Sequence, residues 1–204
     1  MLMNKTKKIL LLSIWLIIFI INTTLVCFGK TSNFDKSVYN IIYYFHNDCI
    51  TSFFKIVTFF GSTIFVIILM IFIMLLFKNK RKATFIDLSV LLSYILNSCV
   101  KRLVARPRPV LINLVTESTF SYPSGHTMIN FVLYGLIIYL IIHNEKINKY
   151  KKMLYSISLI GLFFLIAISR IYLGAHYPSD IIGGLALGNI FLILYITIFK
   201  KKLN

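Results

Sequence analysis

The sequence predicts an all-α integral membrane protein of six transmembrane helices, with a short interfacial helix between the first two. Three observations lead there. Of 204 residues, 58% are hydrophobic and only 14% charged, against about 25% charged in a soluble globular domain. The apolar residues gather in six long runs. The 22 Lys and Arg, against 6 Asp and Glu, lie in short clusters between those runs. That is how a bilayer orients helices, and it differs from the basic stripe that grips nucleic acid. Composition therefore excludes a disordered chain, argues against a water-soluble globule, and gives no reason to expect a nucleic-acid partner.

Residues 9–28 form the first span, twenty uncharged residues, enough to cross about 30 Å of hydrocarbon. A signal peptide is the alternative, but the apolar run is long for one and no A-x-A-like site follows. Phe34, Val38, Ile41 or Ile42 and Phe45 then recur at helical spacing, suggesting an amphipathic helix lying at the outer interface. Residues 56–77 form the second span, and 83–100 the third, broken only by Asp87. Residues 127–142, 153–169 and 181–199 supply the last three. Open strands cannot cross lipid with their backbone unsatisfied, and the alternating pattern of a membrane barrel is absent. One domain, residues 1–204, is expected, without internal repeats.

Fourteen of the 22 basic residues fall on one side: three at the N-terminus, four at 78–82, four at 146–152 and three in the tail. The positive-inside rule then makes both termini cytoplasmic in a multi-pass protein of the plasma membrane. Five others (Lys101, Arg102, Arg106, Arg108 and Arg170) stand at the outer ends of spans three and five. That rule does not account for them, and an outer cluster of cations invites an anionic ligand. Cys27, Cys49 and Cys99 show no CxxC spacing, so they read as small apolar packing residues in place of a metal or redox motif.

Three stretches carry chemistry. In Lys101-Arg-Leu-Val-Ala-Arg-Pro-Arg108-Pro109, each X-Pro step favours extended backbone, so the helix ends here and offers Arg from a stiff loop. Arg forks bind phosphate oxygens bidentately while Lys adds a point charge; gripping lipid headgroups is the plain alternative. Tyr122-Pro-Ser124-Gly125-His126 reads as a helix start capped by Ser124, whose free N–H groups attract anions. His126 would stand beside such an anion, although a simple capping turn fits these residues too. Ser169-Arg170-Ile-Tyr-Leu-Gly-Ala-His176-Tyr-Pro-Ser-Asp180 holds an Arg, a His and an Asp. There the Asp can fix the imidazole tautomer and leave the other nitrogen nucleophilic, or it can merely cap span six. Joint placement decides. All three stretches fall at the outer ends of spans three to six, where charge is costly unless paired or facing a polar cavity. Together they form a phosphate-handling pocket.

Lys101-x6-Arg108-Pro109, Pro123-Ser124-Gly125-His126 and Ser169-Arg170-x5-His176-x3-Asp180 resemble the tripartite signature of the type 2 phosphatidic acid phosphatase superfamily. The match holds in residue type, spacing and order. Its register is fixed, since reading Arg106-Pro107 as the Arg-Pro pair would put Cys99 where Lys is required. The resemblance implies that His176 attacks phosphorus to form a phosphohistidine and that Asp180 orients it. It implies that His126 protonates the leaving oxygen, while Lys101, Arg108, Arg170, Ser124 and the Gly125 amide hold the phosphate oxygens. It implies no metal and no other cofactor, because protein cations fill that role. The expected activity is an extracytoplasmic lipid phosphate or diphosphate phosphatase. Small size makes the chain similar to bacterial undecaprenyl-diphosphate phosphatases, and phosphatidylglycerophosphate and phosphatidate are the alternative substrates. A non-catalytic lipid-phosphate transporter or receptor is the rival of another class; it would need the cations but not His126, His176 and Asp180.

Three further residues, Asp87, Arg102 and Arg106, receive the plainer reading. Thr84-x-x-Asp87 after a basic loop reads as a capping box in the first turn of span three. Arg106, like Arg102, reads as a headgroup contact, with a place beside the phosphate as the alternative.

Overall fold

The computed structural model describes residues 4–110, 114–115 and 117–199. Among these the chain is all helix: α1 Lys5–Cys27, α2 Ser32–Tyr43, α3 Asp48–Phe59, α4 Thr63–Leu76, α5 Lys80–Val104, α6 Gly125–Ile142, α7 Lys149–Tyr172 and α8 Pro178–Phe199. Helices α1, α5, α6, α7 and α8 are each long and apolar enough to cross a membrane. The number becomes six when α3 and α4 are counted as one span bent by 43°.

α6 is the centre of the bundle, packed against α5, α7 and α8. Its Met128, Val132 and Leu136, one turn apart, are fully buried, as is Leu133. α1 lies against α8, α3 against α7 and α4 against α5. In lipid this association rests on van der Waals contact and close backbone approach, since the tails are as apolar as the core. Small residues on α8 permit that approach. A Cβ on Gly184 would lie 2.7 Å from the Ser124 carbonyl oxygen, and one on Gly188 would lie 3.3 Å from that of Met128. The start of α6 is thereby seated directly on α8.

The second span, expected over 56–77, is interrupted and bent. Phe60-Gly61-Ser62 breaks it, and the Ser62 hydroxyl accepts from Phe65 N to start α4. The Gly61 carbonyl accepts from Asn130 Nδ2 of α6 at 3.0 Å. A Cβ there would stand 2.5 Å from the Ile166 side chain and 3.1 Å from the His126 ring. Backbone, with no side chain, is what fits beside His126.

The capping-box reading of Asp87 is also corrected. α5 begins at Lys80, with the Asn79 side chain accepting from Lys82 N, so Asp87 stands two turns inside the helix. Its Oδ1 is buried without a partner among the described residues. The three cysteines are free and exposed on the outside of the bundle, where the sequence reading made them packing residues. α2 forms where the periodic pattern predicts a helix, but Phe34 and Ile41 are exposed and its buried residue is Asp35.

Candidate active site

Local structure explains the motif spacings. α5 ends at Val104, and Ala105 takes the left-handed conformation (φ 50°) with its N–H on the Lys101 carbonyl. This turn throws Arg106 and Arg108 back over the end of the bundle. α7 ends in a Schellman turn: Gly174 has φ 71°, Gly174 N donates to Ile171 O, and Ala175 N donates to Arg170 O. His176 N also donates to Arg170 O, at 3.2 Å, so the six-residue spacing from Arg170 to His176 is one closed turn. Pro178 then opens α8, and Asp180 in its first turn reaches back to accept Tyr177 N at 2.9 Å. Ser124 caps α6, its hydroxyl accepting from Thr127 N and Thr127 Oγ1.

These turns meet at one end of the bundle. His176 Nδ1 lies 3.4 Å from Asp180 Oδ2, and its Nε2 lies 3.4 Å from Arg108 Nη1. Hydrogen bonding to Asp180 assigns the proton to Nδ1 and leaves the Nε2 lone pair for chemistry. His176 stands in the loop beyond α7. Its burial, the largest influence, pushes the imidazole down to about 4, with Arg170 and Lys101 adding to the shift and Asp180 opposing it. The ring is neutral at physiological pH.

Lys101 donates through Nζ to the carbonyls of Phe120 and Ser121. Arg108 donates to Thr119 O, Ala175 O and Phe120 O, which fixes its fork. Arg170 is 2% exposed; its Nη1 donates to Thr58 Oγ1 at 2.8 Å, and its Nε has no partner among the described residues. A Cβ on Gly125 would meet Asn97 Oδ1 at 3.2 Å, so α6 begins close against α5. Lys101, Arg108, Gly125, His126 and His176 line one cavity of about 590 Å³. Arg170, Ser124 and Asp180 lie behind its wall, each buried. From this cationic end the cavity continues between α4 and α5 along Val66, Ile67, Met70, Leu91 and Tyr94. Among the described residues, no three His, Cys, Asp or Glu side chains are grouped to hold a metal ion.

Glu117, Ser121 and Asp35 of this site escaped the sequence reading, and Arg106 received a different role there. Glu117 also lines the cavity, and its carboxylate is paired with Arg170 and lies 3.7 Å from Arg108. A carboxylate thus rests on the cations where phosphate oxygens are expected. Ser121 donates to Asp180 Oδ2. Arg106, expected to meet headgroups, is turned inward onto Asp180 Oδ1 (2.6 Å) and Asp35 Oδ2 (2.8 Å), with the Tyr177 ring 4.0 Å away over its guanidinium. Burial works against its charge, yet Asp180 and Asp35 outweigh burial and raise its pKa. The physical reason for the correction is that two buried carboxylates require a cation between them.

Comparison with known proteins agrees with this arrangement. The PAP2 superfamily pattern matches residues 82–204, which includes all three motifs. The chain belongs to the PAP2 superfamily. Phosphatidylglycerophosphatase B of Bacillus subtilis (strain 168) is 39% identical over 111 residues, covering 54% of this chain and 54% of that protein. An undecaprenyl-diphosphatase of Sulfolobus acidocaldarius is 29% identical over 126 residues, covering 57% and 55%. The matched stretch thus spans about half the length of each of these relatives. A crystal structure of a transmembrane PAP2-type phosphatidylglycerolphosphate phosphatase from Bacillus subtilis superposes with a TM-score of 0.85. It is 24% identical and covers 93% of this chain and 96% of its own. PAP2 architecture therefore extends over α1–α4 as well, although the family pattern begins only at residue 82. Like its neighbours, this is a multi-pass membrane protein.

Proposed function

We propose that this protein is a lipid phosphatase, a hydrolase that removes phosphate from a lipid phosphate or diphosphate at the extracytoplasmic face through a phosphohistidine. The observation that carries the reading is a single cavity with cations and two histidines at its head and an apolar wall of α4 and α5 below. Such a shape suits a phosphorylated headgroup on a membrane-embedded tail. In the proposed step, His176 Nε2 attacks phosphorus and the bond from phosphorus to the lipid-side oxygen breaks. His126 gives that oxygen a proton. Water then attacks the phosphohistidine, His126 takes up the water's proton, and inorganic phosphate leaves. Asp180 steadies the positive charge that His176 gains on phosphorylation. Lys101, Arg108 and Arg170, with the first N–H groups of α6, balance charge on the phosphate oxygens. These protein cations supply the role a metal ion plays in other phosphatases, so the reading is of a metal-independent enzyme.

Undecaprenyl diphosphate is the substrate we favour, on the similarity to an undecaprenyl-diphosphatase. Phosphatidylglycerophosphate is the second reading, favoured by the 39% identity to phosphatidylglycerophosphatase B. The positive-inside rule supports both termini being cytoplasmic and the cavity facing outward.

The test is phosphate release by purified protein in detergent from undecaprenyl diphosphate, phosphatidylglycerophosphate and phosphatidate, with and without chelator. Release that persists in chelator and is inhibited by vanadate is expected, with the highest kcat/KM on undecaprenyl diphosphate. No release from any of the three would leave the transporter or receptor reading standing. Activity lost in chelator and restored by metal would refute the mechanism.

A further inference from the structure

Behind the paired His176 and Asp180 stands a second layer of charge. Asp180 has both oxygens engaged: Oδ1 accepts from Arg106, and Oδ2 accepts from Ser121 and Tyr177 N beside His176 Nδ1. Arg106 also donates through Nη1 to Ser179 Oγ and through Nη2 to Thr31 Oγ1 and Asp35 Oδ2. Asp35, carried in from α2, accepts Ser179 N at Oδ1 and the Ser179 hydroxyl at Oδ2, each at 2.8 Å. Asp35 is 3% exposed and Asp180 0%, so solvent screens this chain of charges weakly.

Counting charge assigns each member a task. Phosphorylation turns the His176 ring cationic, and the Asp180 carboxylate beside it stabilises that cation. Arg106 holds Asp180 in place, but its own positive charge opposes the one forming on His176. Asp35 cancels Arg106. With Asp35 present the three groups sum to one negative charge facing His176; without it they sum to zero. We infer that Arg106 and Asp35 are positioning residues for the nucleophile, Arg106 by fixing the Asp180 carboxylate and Asp35 by neutralising Arg106. α2 is then the element that delivers Asp35 to the site. This inference rests on the phosphohistidine reading above.

The experiment uses the full chain in detergent, with a lipid that the wild type hydrolyses. Asp35→Asn keeps the size of the side chain and an acceptor for Ser179 N but removes the charge. It is expected to lower kcat about 10- to 100-fold, the scale on which the hydrogen-bond partners of metal-ligating side chains matter, with KM within about threefold. Made on an Asp180→Asn background, the same substitution is expected to cost about twofold or less, because residues acting as one unit are not additive. A residue that only braces α2 against α8 would cost the same factor in both backgrounds, and that result, or an unchanged kcat, overturns the inference. Arg106→Lys, a point charge unable to bridge two carboxylates, is scored identically and decides the matter if Asp35→Asn does not fold. An inactive wild type overturns the phosphatase reading and this inference with it. An active wild type with additive or absent effects overturns this inference alone.

Discussion

At His176 two influences oppose each other on one ring. Burial and the nearby cations favour the neutral imidazole, while Asp180 favours the charged one, and the balance leaves a pKa of about 4. A free imidazole titrates near 6.5, so the unprotonated nucleophile persists to more acidic pH than it would in water. We expect the acid limb of kcat/KM that belongs to the nucleophile to lie below pH 5, once substrate ionisation is corrected for. A nucleophile limb near 6.5 that survives in His126→Gln would contradict this. The two histidines should also separate by leaving group. His176→Ala removes the nucleophile for every substrate. Loss of a general acid matters only as far as the leaving oxygen needs a proton, typically about 10²–10⁴-fold. His126→Ala is therefore expected to lose far more kcat on phosphatidate than on p-nitrophenyl phosphate, and His176→Ala to lose both. Equal losses for His126→Ala would point to phosphate binding in place of acid catalysis. Glu117 offers a third check, since its carboxylate occupies Arg170 and Arg108. Glu117→Gln removes a competing charge and should tighten inhibition by inorganic phosphate several-fold; weaker inhibition would show that Glu117 helps to build the site. His126, His176 and Asp180 were legible as spacing because each lies at a helix end within one turn of a fixed break. Arg106, Asp35, Ser121 and Glu117 were not, because their partners come from distant segments. Asp35, one of only six acidic residues and set on an amphipathic helix, was the one available signal.

Elements were legible wherever a run of apolar residues ended in charge, and less so where it did not. The break between α3 and α4 falls inside an unbroken apolar run, and only Gly61-Ser62 marks it. Its cause is tertiary: Asn130 binds the Gly61 carbonyl, and His126 and Ile166 leave no room for a side chain. Gly61→Val should therefore disturb His126 as well as packing, lowering kcat more than thermal stability alone explains. Gly184→Val serves as the contrast. Its Cβ would meet the Ser124 backbone at 2.7 Å, and overpacking of this kind costs about 1–3 kcal/mol. A lower unfolding midpoint in detergent is the expected result for Gly184→Val. A midpoint matching wild type would mean that α6 and α8 separate more easily than their packing indicates. The start of α5 shows a different limit of the sequence. Thr84 and Asp87 have the spacing of a capping box, but Asn79 is the residue that caps the helix, which takes in Lys80, Arg81 and Lys82. Basic residues end an apolar run without ending a helix.

For the whole molecule, the bundle places Lys101, Arg108, His126, Arg170, His176 and Asp180 at one end. The linker between α6 and α7, with Lys146, lies at the other, since α6 spans the bundle between them. This polarity follows from alternating helices and was readable from the sequence; the side of the membrane each end faces rests on charge alone. Fourteen of 22 basic residues favour the cytoplasm for the end opposite the site, and charge bias of that kind sets orientation during insertion. On that orientation the cations of the site would lie on the outer side against this rule, which is tolerable because most are paired or bound to carbonyls. The test requires a background lacking Cys27, Cys49 and Cys99, all free and exposed. Val110, 90% exposed in the linker beyond Arg108 and outside the proposed machinery, takes one reporter cysteine; exposed Asn144, between α6 and α7, takes the other. In intact cells an impermeant thiol reagent should label Val110→Cys, and Asn144→Cys only after permeabilisation. The reverse pattern would place the site in the cytoplasm, and the charge clusters would then have to be explained as contacts with outer-surface anions.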